Sequence, residues 1–183
     1  MLVCKKLLLP FVFACCGSLF AQSIQNPVLP GVADAGVMKY NGKYYYFDAE
    51  TGLMLKGWNK IGKYTYFFKT DGSAPRKWKK IKGKYYYFGK KGRMYTNRII
   101  SKKYYVNAAG ERTYGFAQIG ADTYYFHPIT GKMMTGWAKV DTDYYYLNTD
   151  GRMLTGWLTD SEGNKYYMNQ SNGKMSVGWK QID

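Results

Sequence analysis

Along most of this chain the apolar residues arrive in short aromatic bursts, separated by lysine, glycine, asparagine and aspartate. Tyr44-Tyr45-Tyr46-Phe47, Tyr85-Tyr86-Tyr87-Phe88 and Tyr144-Tyr145-Tyr146-Leu147 are three of them. Bursts of four are strand length, aromatic side chains favour strands, and no window beyond the amino terminus carries the 3.6-residue period of a helix. The residue closing each burst recurs as Phe47, Phe68, Phe88, Val106, Phe126, Leu147 and Met168, at steps of 21, 20, 18, 20, 21 and 21 residues. Gly52, Gly72, Gly92, Gly110, Gly131, Gly151 and Gly173 keep the same beat. So do Trp58, Trp78, Phe116, Trp137, Trp157 and Trp179, and only the fourth repeat lacks such a ring, having Arg98 instead.

Each period reads as two short strands about a turn, with Asn41-Gly42, Ile61-Gly62 and Lys82-Gly83 at three of the turns. A lone hairpin is marginal in water because it cannot bury both faces, so successive hairpins must stack. The predicted fold is all-β, a β-solenoid of about seven stacked β-hairpin repeats of roughly 20 residues filling 36–183. Strand alternation sets Tyr144 and Tyr146 on one face and Tyr145 and Leu147 on the other. Met54, Met94, Met133, Met153 and Met175 stand two residues after the repeat glycine, where a flexible thioether fills gaps between repeats. The fourth repeat, 98–114, is irregular: it is short and has Lys103 where a ring opens other bursts.

Composition adds an address. Lys5 and Lys6 precede an apolar stretch at 7–20, the pattern of an export signal, with cleavage expected after Ala21 and a linker at 22–35 containing Pro27 and Pro30. The alternative is a lipoprotein signal ending before Cys15, which would carry the lipid; only then is a membrane a partner. Cys4, Cys15 and Cys16 all precede Gln22, so a chain cut after Ala21 has no disulfide and no thiolate. The formal charge of +15 includes Lys5 and Lys6, and without residues 1–21 it is +13. Export argues against nucleic acid, while outside the cell a basic surface draws anionic polymers.

Little here suits catalysis. His127 is the single histidine and precedes Pro128 in a turn, so neither a histidine metal cluster nor a His-based catalytic pair can form. The 12 acidic residues fall mostly in turns, as at Asp48, Asp71, Asp150 and Glu162. The chain is read as a binder without catalytic residues, metal or cofactor.

Gly136-Trp137 through Gly156-Trp157, with Tyr-Tyr-Tyr-Leu and Gly-Arg-Met between them, resembles the cell-wall-binding repeat of Gram-positive surface proteins, and the likeness covers about 36–183. That family includes choline-binding modules, glucan-binding repeats and the repeats of clostridial toxins. The resemblance implies a secreted protein of the cell wall or cell surface whose partner is teichoic acid or a polysaccharide, and in the choline-binding branch it implies choline held between consecutive hairpins. Carried over by position, one cage is Trp137, Tyr144, Met153 and Tyr167, and a second is Trp78, Tyr85, Met94 and Tyr105. Aromatic faces suit a quaternary ammonium, which has no N–H to donate. Thr65, Lys103, Thr123 and Lys165 open the other bursts and depart from the choline-binding pattern. Two alternatives stand beside this reading: a lectin-like binder of glucan or host glycan, suggested by Gly-Lys-Tyr-Tyr-Tyr-Phe at 42–47 and 83–88, and a structural spacer or adhesin with no specific ligand.

Overall fold

A computed structural model of the protein describes residues 36–48 and 50–178. The expected signal, the linker, Cys15 and Trp179 lie outside them. Fourteen strands follow one another: β1 (Val37–Tyr40), β2 (Lys43–Tyr46), β3 (Gly57–Ile61), β4 (Tyr64–Phe68), β5 (Lys77–Ile81), β6 (Lys84–Phe88), β7 (Arg98–Ile100), β8 (Tyr104–Val106), β9 (Gly115–Ile119), β10 (Asp122–Phe126), β11 (Gly136–Val140), β12 (Asp143–Leu147), β13 (Gly156–Thr159) and β14 (Lys165–Met168). Consecutive strands pair into seven two-stranded sheets, and the described residues include no helix. The hairpin reading of the sequence therefore holds, and within each compact unit the hairpins stack as in a β-solenoid. Residues up to Lys79 together with Phe88–Met94 form one such unit; Lys80–Tyr87 together with the residues from Tyr95 onward form the other.

Stacking is secured by the tail of each repeat, which pairs in two directions. The N–H of Leu154 donates to the Tyr146 carbonyl of its own hairpin at 2.8 Å, while that of Met153 donates to the Thr123 carbonyl of the preceding one at 2.7 Å. The backward bond recurs from Ala74 to Tyr44, Met94 to Thr65, Arg112 to Tyr85, Met133 to Lys103 and Met175 to Tyr144. A hairpin edge that would otherwise expose unpaired backbone groups is thus used up by its neighbour.

Side chains complete the joint. The burst-closing residues are the core: Phe68 and Phe88 in the first unit, and Val106, Phe126, Leu147 and Met168 in the second, are all at most 1% exposed. Each such burial contributes roughly 1.5–3 kcal/mol. Above five repeat glycines, Gly72, Gly92, Gly131, Gly151 and Gly173, sits the residue two places after the glycine of the previous repeat. A Cβ at Gly151 would lie 2.7 Å from Met133 Sδ, one at Gly173 2.5 Å from Met153 Sδ, and one at Gly72 would run into Met54 Sδ.

The irregular repeat is short in the structure too, since β7 and β8 have three residues each where the next two hairpins have five. Its turn is also unusual. Ser101 and Lys102 take φ of 54° and 53°, a left-handed conformation that Asn41-Gly42 adopts with residues better suited to it.

Candidate functional site

β11 sets Trp137 directly across from Tyr146 of β12, with ring centroids 5.3 Å apart and planes at 77°. Tyr166 of β14 meets the same indole from the next hairpin at 4.9 Å and 74°. Tyr144, two residues before Tyr146, shares their face. Trp137 and Tyr144 are 39% and 40% exposed, unusual for large rings beside a packed interface. Lys139, opposite Tyr144 in the ladder, holds its Nζ 5.5 Å from that ring.

The turn between β13 and β14 fixes Tyr166. Asp160 accepts hydrogen bonds at 2.9 Å from the backbone N–H groups of Glu162 and Asn164 and from Asn164 Nδ2, and the Tyr166 hydroxyl donates to its Oδ2 at 3.2 Å. These donors, the Asn164 side chain first, hold the Asp160 carboxyl below the usual carboxylate range. Conversely, the bond to Asp160 pushes the Tyr166 phenol above 10.0. A carboxylate is therefore anchored at the hydroxyl of the ring that packs on Trp137. The N–H of Met175 donates to the Tyr144 carbonyl at 2.8 Å, tying the tail of the next repeat to this strand.

Of the first expected set, the structure brings Trp137 and Tyr144 to this face. Tyr167 packs its ring on Trp157 at 5.2 Å, because adjacent strand residues point to opposite faces and Tyr167 is the cross-strand partner of Trp157. Met153 belongs to a core cluster with Tyr125, Ala138 and Leu147, on the opposite face of the hairpin from Trp137. Tyr166 stands where Tyr167 was expected. Counting strand parity from Trp157 would have found Tyr166, since a Tyr167 that shares a face with Trp157 leaves its neighbour to face the preceding hairpin.

The second expected set is Trp78, Tyr85, Met94 and Tyr105. Trp78 and Met94 fall in one compact unit, Tyr85 and Tyr105 in the other. Tyr105 is a core residue, 8% exposed among Tyr124 and Phe126, and its hydroxyl donates to Asn97 Oδ1 at 3.3 Å. The Tyr85 ring is covered by the Arg112 guanidinium, 4.0 Å from its centroid.

The rings around Trp137 repeat a local pattern. Phe116 meets Tyr125 across its own hairpin at 4.6 Å and Tyr145 of the next at 4.8 Å, but Thr123 stands where Tyr144 would be. Trp58 meets Phe67 at 5.1 Å, with Thr65 in that place. His127 caps a turn, its Nδ1 accepting from the backbone N–H groups of Ile129 and Thr130. Among the described residues no three His, Cys, Asp or Glu side chains are grouped to hold a metal.

The choline-binding repeat pattern matches residues 134–179 and, in a second form, 74–111, and a cell wall binding repeat matches 56–74. The chain belongs to the cell-wall-binding repeat family. Solved structures of this family resemble it in fold. Choline binding protein F of Streptococcus pneumoniae is 30% identical with a TM-score of 0.68, the match covering 78% of this chain and 52% of that one. CbpJ of the same organism is 30% identical with a TM-score of 0.67, covering 76% and 51%. The choline-binding domain of CbpL, also from S. pneumoniae, is 26% identical with a TM-score of 0.61 and covers 80% of each. The chain thus spans about half the length of CbpJ and choline binding protein F. No curated protein sequence matches it significantly.

Proposed function

We propose that this chain is an exported, non-catalytic protein that attaches to the wall polymer of a Gram-positive-type bacterium by holding a choline group between the β11–β12 and β13–β14 hairpins. The observation that carries this reading is the Tyr166 ring of one hairpin set 4.9 Å from the half-exposed Trp137 indole of the preceding one, with the half-exposed Tyr144 on the same strand face as Tyr146 and the Tyr166 hydroxyl bonded to the Asp160 carboxylate. A quaternary ammonium offers no hydrogen-bond donor, so it is recognised by π faces and negative potential, and those are what this junction offers. The repeats matched here are described as choline-binding, and two of the similar structures carry choline in their names. The apolar stretch at 7–20 behind Lys5 and Lys6 supports export, with 22–35 as a linker and 36–183 as the binding array.

The formal charge of +15 favours a second contribution, attraction to the phosphates of teichoic acid, which screening by salt weakens. Calorimetric titration with choline tests the main reading. The protein binds choline, and Tyr144→Leu and Tyr166→Leu each weaken binding roughly ten-fold by removing one aromatic face. No heat at millimolar choline, with release from cell walls by soluble glucan instead, would establish the lectin reading.

A further inference from the structure

Arg112 stands at the methionine position of the fourth repeat, two residues after Gly110, and its backbone behaves as a methionine's does. Its N–H donates to the Tyr85 carbonyl at 2.8 Å, as that of Met175 does to Tyr144. Its stem lies over the next repeat glycine, with Nε and Cδ 3.0 and 3.1 Å from a Cβ built at Gly131, as Met133 lies over Gly151. What differs is the end of the side chain. The guanidinium carbon is 4.0 Å from the Tyr85 ring centroid, 5.1 Å from that of Tyr114 and 5.6 Å from that of Tyr104, while Nε and Nη2 donate to the Tyr114 hydroxyl at 2.9 and 2.6 Å.

By repeat position Tyr85 corresponds to Tyr144 and Tyr104 to Tyr166, so these rings are the counterparts of the proposed choline site. We infer that Arg112 is a built-in cation that fills this aromatic cage and closes it to external quaternary ammonium groups. The inference rests on the reading of the Trp137 junction as a cation site. A tethered guanidinium has an effective concentration of at least millimolar order at its own cage, and it adds hydrogen bonds to Tyr114 that a quaternary ammonium cannot make. A free ligand must displace it and leave those bonds broken. The number of working sites is therefore set by the residue two places after the repeat glycine as well as by the aromatic bursts.

Equilibrium dialysis of the whole protein against labelled choline counts the sites. Arg112→Met, the residue standing at this position in five other repeats, and Arg112→Gln, which removes the charge but keeps length, each gain one bound equivalent, while Arg112→Lys gains none. Tyr85→Leu in the unmodified background loses none, because that cage is already filled. Folded Met and Gln variants with the parent's stoichiometry, or an equivalent lost on Tyr85→Leu, overturn the inference. Tyr144→Leu separates it from the parent reading: if that variant loses no equivalent, the Trp137 site is wrong, whereas the gain on removing Arg112 is decided independently.

Discussion

Gly151→Ala tests whether methionine and glycine interlock neighbouring repeats. Gly151 takes φ of 83°, and a Cβ there would lie 2.7, 2.8 and 2.9 Å from Sδ, Cγ and Cε of Met133. The left-handed backbone alone costs an alanine about 1 kcal/mol. Three side-chain atoms within the excluded distance mean that the thioether must leave its place beside Phe126, an overpacking cost of roughly 1–3 kcal/mol more. Gly136→Ala is the internal control: its φ is 74° and nothing lies within 4 Å of the added carbon, so only the backbone cost applies. Urea unfolding followed by tryptophan fluorescence is expected to place Gly151→Ala about 2–4 kcal/mol below the parent and Gly136→Ala about 1 kcal/mol below it. Met133→Ala combined with Gly151→Ala must cost less than the sum of the two single changes, since the truncated side chain vacates the contested space. Equal losses at Gly151 and Gly136, or strict additivity in the double variant, would refute the interlock.

Lys102→Gly relieves the left-handed turn of the fourth repeat, where φ is 53°, and stabilises the fold by about 1 kcal/mol, seen as a melting temperature raised by roughly 2–4 °C; an unchanged or lower melting temperature counts against it. Lys139→Gln removes a cation beside the Tyr144 ring, and two unit charges about 6 Å apart in water-like surroundings repel by roughly 0.7 kcal/mol, so choline binds about three-fold tighter at low salt. Weaker binding in calorimetry would show that Lys139 helps to build the site. Stability falls above pH 10: burial first of all raises the phenol pKa of Tyr45, Tyr46 and Tyr86, so their unfolded forms ionise near 10.0 while the folded ones stay protonated. The stabilisation is complete below that pH and is lost as pH rises through the folded values; a urea midpoint unchanged between pH 8 and 11 would exclude it.

The fold was legible because its period is written twice, once in the residues that close the bursts and once in the glycines that follow them. Phe126, Leu147 and Met168 share one structural place, and their spacing alone located it. The site was half legible. Trp137 and Tyr144 could be read from their own hairpin, where alternation fixes the face. Tyr166 could not be read from the Trp137 hairpin; it needed the parity of the next one, counted from Trp157, to say which side of that repeat faces back. Arg112 was hidden for a different reason: in the sequence it is one more cation in a basic chain, and only the stacking brings its guanidinium over Tyr85.

Because three joints use the same methionine plug and glycine socket, Met54 over Gly72, Met133 over Gly151 and Met153 over Gly173, the array can change its copy number there by whole periods. An unequal recombination that removed one period around β11–β12 would leave the plug Met133 facing the socket Gly173, a pairing chemically identical to Met133 with Gly151. The new junction would need no compensating substitution. Length variation is thus close to neutral for folding, and selection can act on how many aromatic cages are open. Ala74 over Gly92 and Arg112 over Gly131 mark joints where that interchangeability has been given up. Duplicating the fourth repeat would lengthen the array and copy a closed cage along with it.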